Sequence, residues 1–349
     1  MKLANLEQLA EPITILAIES SCDDTSAAVL KNHEVLSNVV ATQKVHKEFG
    51  GVVPELASRA HQQNIIPVVD RAFKKAGVSK EDVDAIAYTK GPGLLGSLLV
   101  GGSFAKGFSS GLGIPLIEVN HMQAHILAHQ INGNNAENSK PNFPFLCLTV
   151  SGGHTQIVRV DAPLRMEVIG ATLDDAAGEA FDKVAKILGL PYPGGPLVDK
   201  YASKGNKLKY SFPKSRVDKL NFSFSGLKTA FLYFIRHEIK KNKNFIDENL
   251  YDICASIQYT IVSTLLDKLH KAVLETGITE IAIAGGVSAN SSLRETLQKL
   301  GVENNWTIFI PKFEYCTDNA AMIGIVGIYK YREKKFASLS SKPEARLSF

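Results

Sequence analysis

The sequence predicts a two-domain α/β protein, and three observations indicate this fold class. Its 349 residues exceed the roughly 250–300 residues at which a single hydrophobic core stops growing. Apolar residues make up 45% of the chain, which is enough to build two cores. A pattern of strand, polar turn and strand, followed by alternating helices and strands, occurs twice. We therefore expect an internal duplication that forms two similar lobes with a cleft between them.

The first copy of the pattern lies in the N-terminal third of the chain. Its predicted elements are two strands around the polar turn CDDT, a helix, a strand, a second helix and a strand, at 14–30, 55–76, 84–89, 94–109 and 115–119. Gly77 follows the first helix, where glycine typically provides a left-handed C-cap.

The second copy begins with two strands around the turn SGGHT. Its predicted elements are that strand pair and then helices and strands in alternation, at 145–160, 176–188, 251–275, 281–284, 288–299, 308–310 and 319–331. We assign 13–120 together with 318–345 to an N-terminal lobe. We assign 121–317 to a second lobe, which carries a basic helical insertion at about 200–250.

The net charge of +4 hides an uneven distribution. Residues 200–243 contain twelve Lys or Arg and only two acidic residues, so the remainder of the chain is acidic. Aromatic residues are interleaved with these cations, at Tyr201, Tyr210, Phe212, Phe222, Phe224, Phe231, Tyr233 and Phe234. Such a segment favours phosphate contacts and base stacking, so it predicts nucleic-acid binding. A solvated basic face over a small local core is the alternative.

The cysteines and apolar segments bear on the compartment. The four cysteines are widely spaced and form no C-x-x-C pair, which argues against a disulfide framework and a thiolate zinc site, at Cys22, Cys147, Cys254 and Cys316. The apolar segment 94–117 contains six glycines and Lys106, so we predict no transmembrane helix. We expect a cytoplasmic protein with no membrane partner.

The sequence HMQAH places His121 and His125 one helical turn apart, where two imidazoles can share a divalent metal. A zinc metalloprotease needs a glutamate directly after the first histidine, and Met122 stands there instead. Asp318 precedes an apolar helix and is either its N-cap or a third ligand. Two histidines and a carboxylate suit iron, zinc or manganese. A histidine pair at a helix start without metal remains the alternative.

Three polar segments have the composition of phosphate-binding turns or helix starts, namely SGGHT at 151–155, DDAAGEAFDK at 174–183 and GGVSAN at 285–290. Turn amides form anion-binding nests, and glycine lets the backbone approach a ligand closely. A tight turn without ligand is the alternative for the first segment, and a solvated helix face for the second. The segment GPGLLG at 91–96 imitates a dinucleotide fingerprint, but Pro92 has no amide hydrogen to offer a phosphate.

Eight motifs occur in an order that resembles one family: IESSCDDT, HMQAH, SGGHT, DDAAGEAFDK, YPGGP, FSFSGLKTA, GGVSAN and TDNAAM. Together they resemble the tRNA threonylcarbamoyladenosine transferases, called TsaD in bacteria, from about Ile13 to Tyr331. Gln123 and Ala124 depart from the glutamate and glycine that many members carry. The resemblance implies two ribonuclease-H-like lobes of the actin, hexokinase and Hsp70 ATPase fold, with an interlobe cleft.

The resemblance also implies functional residues. One divalent metal, Fe²⁺ by preference and Zn²⁺ as the alternative, is expected at His121, His125 and Asp318. Phosphate and the threonylcarbamoyl end of the donor are expected at Thr149, Val150, Ser151, Gly152 and Gly153. The nucleotide is expected at Asp182, Gly195, Asp199 and Asn290. No residue is assigned as general base.

The implied reaction is an acyl transfer. The N6 amine of adenosine at tRNA position 37 attacks the carbamoyl carbon of threonylcarbamoyl-adenylate, and AMP leaves. The resemblance implies two further partners, a smaller TsaB-like paralogue and a small TsaE-like ATPase. A small-molecule kinase of the same fold, a metalloprotease (disfavoured by Met122) and a non-catalytic scaffold are the alternatives.

Overall fold

The computed structural model describes residues 11–134, 139–215 and 217–349. Within them, the strands β1 to β10 are Thr14–Glu19, Asp24–Lys31, Glu34–Thr42, Ala85–Gly91, Leu116–Asn120, Phe145–Val150, Thr155–Ala162, Arg165–Ala171, Glu280–Ala284 and Thr307–Phe309. The α-helices α1 to α9 are Pro54–Ala76, Leu95–Leu112, His121–Leu127, Ala177–Ile187, Gly195–Ala202, Ser225–Lys241, Phe245–Thr276, Ser291–Asn304 and Ala320–Arg332.

Two five-stranded sheets share one topology. The first has the order β3-β2-β1-β4-β5 and the second β8-β7-β6-β9-β10. In each sheet the first three strands form an antiparallel meander, and the last two run parallel to the central strand. The duplication predicted from the sequence pattern is confirmed, and this order is that of a ribonuclease-H-like lobe.

Tertiary contacts divide the chain into two units. One takes in residues up to Gln43, Val53–Asn132 and Asp318–Ser348, and the other takes in Lys44–Val52, Gly133–Thr317 and Phe349. These units place α3 with the first unit. The predicted lobe boundaries, 13–120 with 318–345 and then 121–317, stay a prediction.

The core of the first unit lies on both faces of its sheet, because every residue of β1 is buried. Alternate side chains, such as Leu16 and Ile86, pack in a cluster with apolar residues of α1 and α2. Helix α9 packs against β1, β2, β4 and β5. The predicted cap is confirmed, because Gly77 ends α1 in the left-handed conformation, at φ 65°.

The core of the second unit is built around α7, which has sixteen buried residues and is longer than the predicted helix at 251–275. Phe212, Phe222, Phe224 and Phe231 belong to this core and are at most 7% exposed. The prediction that these four aromatic residues stack on bases is therefore wrong, and the local-core alternative holds for them.

Among the described helices, none combines the length and the apolar character needed to cross a membrane.

Candidate functional site

The two predicted histidine ligands lie on α3, a short helix that begins immediately after β5. Asn120 is its N-cap, and its side-chain oxygen accepts hydrogen bonds from the amides of Met122 at 2.9 Å and Gln123 at 3.2 Å. An asparagine cap satisfies amides that the first helical turn leaves without partners. The helical register predicted for His121 and His125 is confirmed, because their rings meet edge-to-face at a centroid distance of 4.7 Å.

The C-terminal segment, around Ser348, contacts the residue that caps α3. Asn120 Nδ2 donates to the carbonyl oxygen of Ser348 at 3.0 Å. The same segment follows the β4–β5 side of the sheet, where the Glu344 amide donates to the Lys90 carbonyl at 2.9 Å and the Ala337 amide to the Leu116 carbonyl at 2.7 Å. The start of the histidine helix is therefore fixed by its own cap and by the contact of Asn120 with Ser348.

Asp318 lies two residues before the first residue of α9, but it does not cap that helix. Asn319 is the N-cap and accepts a hydrogen bond from the Met322 amide at 3.1 Å. The amide of Ala320 donates to Ser26 Oγ at 2.9 Å. The alternative that Asp318 is the N-cap of α9 is therefore wrong. Its carboxylate faces the two histidines instead.

Three donor atoms converge in the first unit. His125 Nε2 lies 3.1 Å from His121 Nε2, and Asp318 Oδ1 lies 3.3 Å and 3.2 Å from the Nε2 atoms of His121 and His125. Two ligands about 2.1 Å from one ion, at angles of about 90–110°, are themselves roughly 3.0–3.4 Å apart. The observed spacings fall in this range, so the donor set fits one divalent metal.

Electrostatics favour a cation at this cluster. Burial opposes the charge of His121, but the carboxylates of Glu19 and Asp318 outweigh it and raise the pKa of His121 well above its ordinary value. Burial alone would raise the pKa of Asp318, yet the two histidines hold it far below its usual range. The His125 side chain is 1% exposed and the Asp318 side chain 26% exposed. A ligand can therefore reach the cluster from the Asp318 side.

The predicted phosphate turn SGGHT joins β6 to β7 in the second unit. Thr149 and Val150 are fully buried in β6, so their side chains face the interior rather than a ligand. The turn is closed by the Ser151 amide, which donates to the His154 carbonyl at 2.8 Å, and by the His154 amide, which donates to Ser151 Oγ at 3.1 Å. Gly152 and Gly153 are exposed, and their amides make no hydrogen bond within the described part of the chain. These two amides can receive an anion.

Two further predicted segments meet this turn. The Gly178 amide, in the first turn of α4, donates to the Ser151 carbonyl at 3.2 Å. A Cβ on Gly178 would lie 2.4 Å from that carbonyl oxygen. Gly285 follows β9 and has a positive φ, of +85°. Its backbone lies so close to Val150 of β6 that a Cβ there would be 2.5 Å from the Val150 oxygen. The structure therefore places the SGGHT turn between the first turn of α4, through Gly178, and the start of GGVSAN, through the contact of Gly285 with Val150 directly before the turn. Glycine is required at both contacts.

Asp182 is hydrogen-bonded to Gly195, the glycine that the resemblance also assigns to the nucleotide. Its Oδ1 accepts hydrogen bonds from the amides of Gly194 at 2.8 Å and Gly195 at 3.2 Å. Glu179 instead pairs with Lys183 at 2.6 Å, as predicted for a solvated helix face. Burial raises the pKa of Asp182, although the glycine amides act to lower it. Asp182 thus fixes the turn that opens α5.

The remaining two predicted nucleotide ligands both bind the start of α8, Asn290 as its N-cap and Asp199 from α5. Asn290 caps this helix through the Leu293 amide at 3.0 Å, and its Nδ2 donates to Gln258 Oε1 at 2.8 Å. Both oxygens of Asp199 are bonded to Ser291, which donates through Oγ at 2.7 Å and through its amide at 3.0 Å. Asp199 and Asn290 are therefore neighbours, and both hold the local backbone.

The basic segment 200–243 is only partly free to bind a polyanion. Lys209 pairs with Asp252 at 2.7 Å. Lys204 and Lys207 are exposed and lie over the rings of Tyr251 and Tyr259, 5.7 Å and 5.3 Å from their centroids. Arg216, one of the twelve predicted cations, lies outside the described residues. The accessible aromatic rings of this surface include these tyrosines of α7, which lie beyond the segment that the sequence indicated.

Sequence reasoning missed one residue at the metal cluster, Glu19. This side chain ends β1 and its Oε2 lies 3.1 Å from His121 Nδ1. The available signal was an acidic residue directly after the buried run ILAI, inside the quoted motif IESSCDDT. A carboxylate that interrupts an apolar strand end needs a buried partner.

Comparisons with known proteins agree over almost the whole chain. A family model described as TsaD, tRNA N6-adenosine threonylcarbamoyltransferase, matches residues 34–325. A Christiangramia forsetii protein of that name is 65% identical over 339 residues, covering 97% of this chain and 99% of the relative. A Porphyromonas gingivalis protein of the same name is 56% identical over 340 residues, covering 97% of this chain and 100% of the relative.

Solved structures agree on the fold. A full-length HypF in a phosphate- and nucleotide-bound form has a TM-score of 0.64 at 15% identity, with 93% of this chain covering 47% of the HypF chain. Component A of the Acidaminococcus fermentans (R)-2-hydroxyglutaryl-CoA dehydratase has a TM-score of 0.51 at 15% identity, covering 92% of this chain and 98% of that one. At these identities the likeness concerns the fold alone.

Proposed function

The chain belongs to the tRNA N6-adenosine threonylcarbamoyltransferase family, and we propose that it transfers a threonylcarbamoyl group from threonylcarbamoyl-adenylate to the N6 amine of adenosine 37 in tRNA. The observation that carries the reaction is the match to relatives of that name, 65% identical over 97% of the chain. The chain is accordingly an acyltransferase that modifies tRNA. The kinase and protease alternatives are not favoured.

Because an adenine amine is a weak nucleophile, catalysis requires that the protein position the two substrates and stabilise the charge that develops in the transition state. The amine nitrogen forms a bond to the carbamoyl carbon and loses a proton. The bond from that carbon to the phosphate oxygen breaks, and AMP leaves with the electron pair. We assign no side chain as general base.

The second unit provides the proposed donor site. The amides of Gly152 and Gly153 are exposed donors for phosphate oxygens. Asp182 holds the backbone of Gly195 with one oxygen, and its other oxygen makes no hydrogen bond within the described residues, so it can accept one from a ribose hydroxyl. Asp199 and Asn290 would shape the wall against which the nucleotide lies, since Asp199 accepts from Ser291 and Asn290 from the Leu293 amide at the start of α8.

The first unit provides the proposed metal site, at His121, His125 and Asp318. Fe²⁺ suits this set of two imidazoles and one carboxylate with open positions, and Zn²⁺ is the second choice. When bound, such a metal would supply a Lewis acid that polarises substrate oxygens.

Metal content tests this site directly. Replacing His121, His125 or Asp318 by alanine should each strip the metal from the purified, folded protein, because two ligands hold an ion poorly. His61→Ala is the matched control, since His61 is also buried in the first unit but contacts Thr25 and Cys22. Unchanged metal content in all three ligand variants would remove the site from the proposal.

We propose that tRNA docks on the exposed lysines of the basic segment in the second unit, and that the C-terminal cations of the first unit also contact it, at Lys330, Arg332, Lys334 and Lys335. Lys330 contributes least among these, because burial lowers its pKa and its Nζ donates to the Glu118 carbonyl. The TsaB-like paralogue and the TsaE-like ATPase are proposed partners that assemble with the chain.

Charge reversal at Lys204, Lys207 and Lys209 should weaken tRNA binding and reduce the salt dependence of the affinity by about 2–3 in log–log slope, since each phosphate contact contributes about one. Lys74→Glu is the control, because Lys74 lies on α1 and is already paired with Asp70. Filter binding at several salt concentrations, with and without the partners, measures the effect. Equal affinities of wild type and triple variant in both series would exclude this surface.

A further inference from the structure

Glu19 is a carboxylate with no solvent contact, 0% exposed at the end of β1. Burying an ionised carboxylate is costly unless charged or polar partners compensate for the lost hydration. Its position at the end of β1, next to the turn into β2, would not by itself require an acid, since the buried neighbours Ser20 and Ser21 are neutral. Its partners therefore indicate its role.

Both oxygens of Glu19 are engaged. The Ser21 amide donates to Oε1 at 2.5 Å. Thr89 Oγ1 donates to Oε2 at 2.5 Å, from the neighbouring strand β4. The same Oε2 lies 3.1 Å from His121 Nδ1. The Ser21 amide and the Thr89 hydroxyl thus hold the carboxylate in place, and its third contact is with the proposed metal ligand His121.

This contact selects one form of the imidazole. An ionised carboxylate only accepts hydrogen bonds, so His121 Nδ1 must carry the proton that it shares with Glu19. With that proton on Nδ1, the ring can offer only Nε2 to a bound metal, and Nε2 lies 3.1 Å from His125 Nε2 and 3.3 Å from Asp318 Oδ1, the other two proposed ligand atoms. Ser21 Oγ, 3.3 Å from the same Nδ1, adds a second contact on that edge of the ring.

The two histidines differ in this respect. His125 Nδ1 is buried and has no hydrogen-bond partner among the described residues, whereas His121 Nδ1 faces a carboxylate that is itself fixed. A carboxylate behind a metal-bound imidazole fixes the ring orientation and raises the basicity of the ligand nitrogen. The two ligands therefore differ: a carboxylate supports the ring of His121 at Nδ1, and none supports the ring of His125.

We propose that Glu19 is the positioning residue of the metal site, which orients His121 and holds it with Nε2 free for the metal. The inference rests on the proposed metal site and concerns the buried residue behind it. Glu19 does not touch substrate, because it is enclosed by β1, β4 and α3. Its effect on the reaction passes entirely through His121.

The test is the affinity of the metal-free protein for Co²⁺, measured by competition with a chromophoric chelator. Glu19→Gln should weaken Co²⁺ binding by about 10–100-fold while the protein stays folded, because the amide is a poorer acceptor than the carboxylate. Asp84→Asn is the matched control and should bind Co²⁺ as the wild type does. Asp84 is a carboxylate of the same unit that accepts a backbone hydrogen bond, from Thr14 at 2.7 Å, at the far end of β1.

The outcomes separate this inference from the metal site itself. If His121→Ala loses Co²⁺ and Glu19→Gln binds it with wild-type affinity, the site stands and the role of Glu19 is overturned. If His121→Ala keeps Co²⁺, the proposed site has failed. A purely structural role for Glu19 would lower the melting temperature of the variant without changing the Co²⁺ affinity of its folded form, and that result also overturns the proposal.

A second measurement does not depend on a variant that folds. In the zinc-loaded wild-type protein, nitrogen–proton correlation spectra of ¹⁵N-labelled histidine report which ring nitrogen carries the proton. We expect His121 with a protonated Nδ1 and a metal-bound Nε2. A metal-bound Nδ1 would contradict the proposal even if Glu19→Gln does not fold.

Discussion

Gly178 is the point where the cost of a single methyl group can be worked out from the structure. A Cβ there would lie 2.4 Å from the Ser151 oxygen and 2.9 Å from Gly152 Cα, and both are backbone atoms that cannot rotate away. Gly178→Ala must therefore push α4 and the SGGHT turn apart. It would also lengthen the 3.2 Å hydrogen bond from the Gly178 amide to the Ser151 carbonyl.

The size of the effect follows from three contributions. Overpacking a tight site costs about 1–3 kcal/mol. Losing one hydrogen bond costs about 1 kcal/mol. The better helix propensity of alanine returns up to about 1 kcal/mol. The net destabilisation is about 2 kcal/mol, which corresponds to a fall of about 4–8 °C in the melting temperature of a domain of 150–250 residues.

Differential scanning calorimetry measures this change, and Gly152→Ala is the control. Among the described residues, apart from its two chain neighbours, no heavy atom lies within 4 Å of a Cβ built on Gly152, so that variant should melt as the wild type does. Gly178→Ala should also bind AMP more weakly, because the turn that carries the exposed amides has moved. If Gly178→Ala melts at the wild-type temperature and binds AMP normally, the proposed contact between α4 and the turn does not constrain the site.

Two further substitutions test hydrogen-bonded carboxylates of the second unit. Asp182→Ala removes the acceptor of two glycine amides and should destabilise the protein by about 1–3 kcal/mol and weaken AMP binding, as measured by denaturant titration and calorimetry. Asp174→Ala removes hydrogen bonds from Ser223 Oγ and the Phe224 and Ser225 amides at the start of α6, and should cost about 1–2 kcal/mol. Although partial burial acts to raise the pKa of Asp174, these bonds hold it below its ordinary value, so the wild-type advantage should be constant above pH about 4 and shrink as the pH falls further. An advantage that does not change with pH would contradict the role of its charge.

The elements that were predicted well are those with a strong local pattern. The buried run ILAI, the helix ended by Gly77 and the second strand pair all lie where the sequence indicated them. The third strand of each meander was missed. β3 and β8 lie at sheet edges and mix exposed and buried residues, so neither shows a continuous apolar run.

The candidate site likewise contains some features that could be predicted from the sequence and others that could not. The spacing of His121 and His125 follows from helix geometry and could be predicted from sequence. The capping role of Asn319, which leaves Asp318 for the metal, depends on the conformation of one residue before α9 and could not. Glu19 was invisible because its meaning depends on Thr89 and His121, which lie 70 and 102 residues away in sequence.

The most direct test of the proposed function is nucleoside mass analysis of the RNA product. The chain is incubated with its proposed partners, threonine, bicarbonate, ATP and unmodified tRNA, and a parallel reaction omits the chain. We predict that adenosine at position 37 gains the mass of one threonylcarbamoyl group only when the chain is present. Unmodified adenosine in the complete reaction, with threonylcarbamoyl-adenylate accumulating in it, would contradict the assignment of the transfer step to this protein.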